Sequence, residues 1–401
     1  MARVATAQTP SIPSIAELLT RAEKVGAIAR ERAPEFEKAR QVSSDLVELM
    51  RELELFRVMQ PKRFGGFEYG YDVFVEAVSR VASGDGSTGW VYSLGAVHPW
   101  MIACYPEEAQ HDFWRDSYDT VAAVSYAPAG KAAPAPGGYR LSGRWSFASG
   151  VDNASWGIVG GIIPMADGAK PGFFLVPKSD YTIHDDWNTM GLCGTGSKTI
   201  VVEDAFIPEH RVVTFQQMLT GQTPGTAINT NPIYRQPMLA VVPNCLVSPA
   251  LGMARGALQA FIDQVGNRTT RGAVAGGNNR MSEFATVQLR VAEATASIDA
   301  AQLMVHRDIR ETSEAVHAGK TVDVDMRLRN RLTHAFATKL CVQAVDAVFV
   351  AMGGSALGMH HPVQRFWRDI HAASSHISLN WDAVGSMYGQ HVFGLEPKGQ
   401  Y

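Results

Sequence analysis

Cysteine is scarce. The four in 401 residues, Cys104, Cys193, Cys245 and Cys341, lie far apart with no CxxC pair. That excludes a disulfide framework or a zinc ribbon and fits reduced thiols used for packing. Basic excess is also missing: 36 Lys+Arg against 39 Asp+Glu gives a net charge of −3 with no basic cluster, so nucleic acid is not expected as a partner. The N-terminal stretch MARVATAQTPSIPSIAELL lacks the continuous apolar core of a signal peptide. Nowhere do about 18 uncharged apolar residues run together, so no membrane association is expected and the protein reads as cytoplasmic. No G-x-G-x-x-G follows a strand-like run, which leaves no internal nicotinamide-dinucleotide site. The histidine pairs in MHHP (359–362) and HAASSH (371–376) lack i, i+4 spacing and a carboxylate companion, so no metal is expected.

What the chain does contain changes period twice. Up to about residue 125 it mixes strong helix formers with apolar residues at three- and four-residue steps, a helical layer. Residues 126–235 hold short β-rich runs bounded by turn residues, such as GYRLSGRWSFAS, WGIVGGIIP and GFFLVP. With no helices between them, these predict an antiparallel barrel or sandwich. From 236 to 401 helices return: Val287, Val291, Ala294, Ile298, Ala301 and Val305 form a core-facing stripe. The stretch LTHAFATKLCVQAVDAVFVAMGG is apolar around most of its circumference and stops on Gly353-Gly354. The expected domains are therefore 1–125 helical, 126–235 β and 236–401 a four-helix bundle, an α+β protein that is mostly α.

One strand poses a chemical question. YRLSGRWSFASGVDNASWGIVGG (139–161) carries two tryptophans and a tyrosine, yet stops on Ser149-Gly150. The smallest side chains stand where a buried strand would place its largest. A flat non-protein body lying against that spot accounts for them; a plain strand-ending turn does so as well.

The order of units resembles the acyl-CoA dehydrogenase fold. MGLCGTGSKTIVVEDAFIP (190–208) is similar to its G-x-x-G-T-x-S stretch running into a strand, and GGSALGMHHPVQRFWRDIHAASSH (353–376) to its Gly-Gly turn, helix and Arg-Asp pair. The Glu-Gly pair that supplies the dehydrogenases' base is absent: the region reads HAASSHISLNWD, with His376 near that position. GRWSFASG instead resembles the flavin-dependent monooxygenases of this fold, the oxygenase components of two-component systems acting on phenols, indoles or thiophenes. The resemblance implies reduced FAD or FMN delivered by a separate NAD(P)H:flavin reductase, O2 as co-substrate, a hydroperoxide formed on the flavin ring, and a homotetramer. Two alternatives stay open: an acyl-CoA dehydrogenase-like oxidoreductase with a relocated base, and a non-catalytic ligand-binding member of the fold.

Such a site must be dry, with few well-placed donors. Ser149 is expected to donate to the ring edge, Gly150 to let the backbone close in, and Trp145 and Trp156 to wall the space. His376 is the expected base for a phenol or indole proton, with His371 as the fallback. His98 and Ser125 fall where related oxygenases hold the substrate's polar substituent. Thr195 and Ser197 are expected against the flavin. Arg268 or Arg271 resembles the arginine that reaches phosphate across a subunit boundary, and Gly353 and Gly354 either pass close to it or cap a helix. Trp90 and Trp100 either add aromatic walls to the site or, as helical aromatics commonly do, belong to the core.

Overall fold

A capping box opens the first helix: Ser14 Oγ accepts the Glu17 N–H while the Glu17 carboxylate takes the Ser14 N–H. The computed structural model describes residues 12–165, 168–266, 268–270 and 279–401. Its first layer is α1 (Ile15–Ala39), α2 (Ser44–Glu52), α3 (Tyr71–Ala82), α4 (Gly86–Ile102) and α5 (Glu107–Trp114). α4 is capped by Asp85, whose carboxylate accepts the Thr88 N–H, and it is buried almost all round because α3, the sheet and the C-terminal helices each cover one side.

The strands of the middle unit are β1 (Ala122–Ala135), β2 (Gly138–Ala148), β3 (Trp156–Met165), β4 (Gly168–Pro177), β5 (Thr182–His184), β6 (Lys198–Pro208) and β7 (Val212–Thr214). They form one sheet in the order β5-β6-β2-β1-β3-β4-β7. The expectation of a wholly antiparallel arrangement is corrected at its centre, where β1 and β3 pair in parallel, Ala122 opposite Trp156 and Val124 opposite Ile158. The reason is connectivity. β2 folds back on one edge of β1, so β3 must cross to the other edge and then runs with β1. Residues 149–155 make that crossing, which is why the first quoted strand ends on small residues.

After the sheet come α6 (Phe215–Thr220), α7 (Met238–Val241), α8 (Asn244–Val265), α9 (Ala285–His317), α10 (Val324–Met352), α11 (Pro362–Ser374) and α12 (Trp381–Val392). The predicted α9 stripe faces inward: Ala294, Ile298, Ala301 and Val305 are buried, and Val287 and Val291 pack against the same core. The main core joins α1, α3, α4, α8, α9, α10 and α11, while the sheet has a second core of its own. α4 packs against β1 and residues 193–195, close to the β2–β3 crossing, and α8 and α11 pack against α4.

Candidate active site

The strand-end shelf is built by backbone irregularity. The β2–β6 register shifts between Trp145 and Ala148. Phe147 adopts a left-handed φ of 66° there, with its ring 71% exposed. A non-glycine residue in that region is strained, and a bulge re-aims the side chains after it. Gly150 follows at φ 71°, and a Cβ on it would lie 3.2 Å from Val91 Cγ1 on α4. Its N–H donates to Thr195 O at 2.9 Å, tying the crossing to the 192–196 turn. That turn is held from the other side by Asp369 on α11, whose Oδ1 accepts the Leu192 N–H at 2.7 Å.

Three hydroxyls then line up, and their protons can be counted. Thr195 Oγ1 donates to Leu192 O at 2.8 Å, because a carbonyl only accepts. Its 2.6 Å contact with Ser197 Oγ is therefore donated by Ser197. With that proton committed, the 2.7 Å contact between Ser149 and Ser197 is donated by Ser149. Ser149 Oγ also accepts the Trp90 Nε1–H at 3.2 Å. One lone pair remains on Ser149. In this relay the Ser149 proton is committed to Ser197, and the lone pair left over suits a ligand N–H.

The histidines resolve by the same reasoning. His376 lies with its ring centroid 6.3 Å from that of Trp90. Its Nδ1 accepts the Ser378 N–H at 3.1 Å, so the neutral ring carries its proton on Nε2. Burial, helped by the charge of Arg331, lowers its pKa to about 4. The half-buried ring is thus neutral and offers its Nε2–H as a donor. His98 is its complement: Nδ1 lies 2.6 Å from Ala122 O and must donate, leaving Nε2 a buried lone pair with no partner. Desolvation holds His98 at about 4 despite the hydrogen bond to Ala122. Ser125 donates to Ser146 O at 2.8 Å, one residue before the exposed Phe147. Beside it Tyr126, 38% exposed, donates to Met101 Sδ, and desolvation raises its phenol above the usual value.

The structure thus joins Ser149, Gly150, Thr195, Ser197 and His376, with Trp90 at their centre. It does not bring every expected residue there. Trp145 is fully buried in the sheet's core, its Nε1 donating to Gly160 O at 2.7 Å, because it points to the opposite face of β2. The Trp156 ring is taken up by Phe113 and by the Arg211 guanidinium, 5.1 Å from its centroid. His371 pairs with Asp346 on α10 at 2.9 Å and lies against Trp367. Arg268 donates to Ser355 Oγ at 2.6 Å, beside Gly353 and Gly354, where an added Cβ would meet no atom within 4 Å. Arg271 lies outside the described residues. Phe147 and Asp369 are what sequence reasoning missed, and Trp90 was read as a wall or a core aromatic without its hydrogen bond to Ser149. Only the RD pair in WRDIH signalled any of them.

Tested against these atoms, reduced flavin fits. The free Ser149 lone pair suits a ring N–H, the exposed Phe147 offers an apolar edge, and open space with an arginine lies at the Gly353-Gly354 turn.

The chain matches the acyl-CoA dehydrogenase N-terminal domain over residues 20–116 and the acyl-CoA dehydrogenase C-terminal domain over residues 244–381. It is 46% identical over 391 residues to the FADH(2)-dependent resorcinol hydroxylase, oxygenase component, of Rhizobium sp. (strain MTP-10005), covering 96% of each chain. The crystal structure of 3-HSA hydroxylase from Rhodococcus sp. RHA1 superposes with a TM-score of 0.89 at 36% identity, covering 96% of this chain and 98% of that one. XiaF from Streptomyces sp., solved in complex with FADH2 and glycerol, superposes at 0.88 with 27% identity, covering 96% and 97%. At these identities and coverages, the chain belongs to the flavin-dependent monooxygenase oxygenase components built from acyl-CoA dehydrogenase domains.

Proposed function

We propose that this protein oxygenates a phenolic ring, taking FADH2 from a separate NAD(P)H:flavin reductase and O2 from solution, as a homotetramer in the cytoplasm. The carrying observation is the proton order of the Thr195–Ser197–Ser149 relay, which leaves one acceptor for a reduced ring's N–H beside a donor histidine. The bound flavin supplies the activated oxygen. Ser149 holds a flavin N–H in place, the β2–β3 crossing and Trp90 keep water from that edge, and His376 Nε2–H steadies the developing negative charge. His98 Nε2, a bare acceptor, takes the phenol O–H and raises electron density on the ring to be attacked. Arg268 at the Gly353-Gly354 turn offers its planar fork to a flavin phosphate, which in an assembly would be that of another copy. FAD is preferred because the resorcinol hydroxylase and XiaF are both named with FADH2. Assembly is supported by exposed apolar residues on the bundle, Leu303 at 71% and Val350 at 74%.

The test is single-turnover mixing of protein and reduced FAD with 18O2 and resorcinol, reading product mass against hydrogen peroxide. One labelled oxygen in a hydroxylated product is expected. Peroxide alone with every phenol tried, together with bleaching of bound FAD by an acyl-CoA without oxygen, would replace this reading with the dehydrogenase one.

A further inference from the structure

Arg331, on α10, is only 5% exposed, yet no hydrogen bond or ion pair engages it among the described residues. The other buried arginine described, Arg365, has the Asp85 carboxylate 3.8 Å away. Burying a cation without a counter-charge is costly, so a lone guanidinium points to a missing anion or polar oxygen. Its Nε and Nη1 are closed off without partners, so Nη2 is the nitrogen that reaches open space. Burial alone lowers its pKa to about 10.

His334 stands three residues on, on the same helix face, and is 2% exposed. Asn244 Nδ2 donates to Val241 O at 2.8 Å, which turns Asn244 Oδ1 toward His334 Nε2 at 3.2 Å. His334 therefore keeps its proton on Nε2 and presents Nδ1 as a buried lone pair with no partner. Desolvation, then the Arg331 charge, holds it at about 3. Asn244 is followed by Cys245, whose carbonyl accepts from Ser93 Oγ, one turn along α4 from Trp90, so the pair stands on the side of α10 toward Trp90 and His376.

One donor and one bare acceptor on adjacent turns match a hydroxyl, which accepts from Arg331 Nη2–H and donates to His334 Nδ1. A carboxylate fits poorly: it wants two parallel N–H groups, and it would set its lone pairs against Nδ1. We propose that Arg331 and His334 form a subsite for a second ring hydroxyl, so that the substrate class is a dihydroxybenzene. The proposal rests on the phenol-oxygenase reading and adds to it a residue pair that selects among phenols.

The experiment measures binding without flavin, by tryptophan fluorescence and calorimetry, of phenol, resorcinol, 3-methoxyphenol and 3-hydroxybenzoate. The intact protein should bind resorcinol about 10- to 100-fold more tightly than phenol, the span of one charge-assisted hydrogen bond, with 3-methoxyphenol between them. Arg331→Met should bring resorcinol down to the phenol value and leave phenol unchanged, and His334→Phe should erase the advantage of resorcinol over 3-methoxyphenol. Equal binding of phenol and resorcinol by the intact protein overturns the subsite even if the variants fail to fold. Preference for 3-hydroxybenzoate overturns the hydroxyl assignment. If Arg331→Met changes only the sedimentation behaviour, the guanidinium pairs with another copy and the subsite is wrong. Failure to bind any phenol would instead strike the parent reading.

Discussion

Replacing Asp369 by Asn should make the protein more stable at neutral pH than the natural chain, although it removes a buried residue that positions the site. Asp369 is 2% exposed, and its Oδ2 has no partner. Desolvation, then repulsion from Asp85, raises its pKa from 3.8 to about 7 against the opposing Leu192 N–H, Arg365 and Arg368. Glu37 adds to the negative side and raises Asp85, while pairing with Arg368 at 2.7 Å. The raised pKa fixes the sign. The unfolded chain releases this proton near pH 3.8 and the folded one near 7, so stability is whole below 3.8 and declines as pH rises to about 7. At about 1.4 kcal/mol per pKa unit the full loss is of order 4 kcal/mol. Asn keeps an oxygen for the Leu192 N–H and carries no charge. The difference in unfolding free energy, variant minus natural, should be near zero at pH 4, grow with pH, and level off above 7. Urea unfolding from pH 4.5 to 8.5 measures it. His98, His334 and His376 pull the other way, since pKa values lowered to about 4, 3 and 4 cost stability as pH falls below 6.5, but they act on both proteins and cancel. Parallel curves, or a variant less stable throughout, would refute the argument.

Ser149→Ala leaves the buried Trp90 N–H without its acceptor and should cost about 1–3 kcal/mol in thermal unfolding, while diverting turnover from product to hydrogen peroxide. Ser197→Ala frees the Ser149 proton and should raise the peroxide share about tenfold with phenol affinity unchanged, a split that simple loss of packing would not give. His98→Phe should lower the product rate without raising peroxide in the absence of substrate, whereas His376→Phe should raise peroxide even then; stopped-flow assays with and without phenol separate the two. Gly86→Ala places a methyl 2.6 Å from Met253 Sδ and 2.8 Å from Asp369 Oδ2, and should cost about 1–3 kcal/mol by chemical denaturation.

The three-part layout was legible because each part carries its own period, and those periods reflect burial on one face of a helix or strand. The parallel β1–β3 pair was not, since the strand-like runs on either side of the 149–155 crossing read the same whichever edge of β1 the second one joins. Ser149, Thr195 and Ser197 were legible as small polar residues at strand ends, yet their proton order was not, because it depends on Leu192 O and Trp90 Nε1, brought together only by the fold. Trp145 misled for a plain reason: Trp145 and Phe147 are two apart and would share a face in a regular strand, but the register shift between them turns Phe147 outward and leaves Trp145 in the core. Arg331 stands just before the run that reads as apolar, in MRLRNRL, where three arginines alternate and nothing marks one of them as unpaired.

The two histidines show how far residue type alone can carry a mechanism. Histidine was expected at this site because it can exchange a proton near neutral pH, but desolvation holds both rings at about 4, so neither is charged there. What distinguishes them is the partner of each Nδ1: a carbonyl at His98, an amide N–H at His376. The first leaves an acceptor toward the interior and the second a donor. The proposed reaction, which draws on a phenolic O–H at one side and steadies new negative charge on the other, uses one of each. On the proposed function, exchanging the two partners, without changing either histidine, would reverse the polarity that the phenol meets.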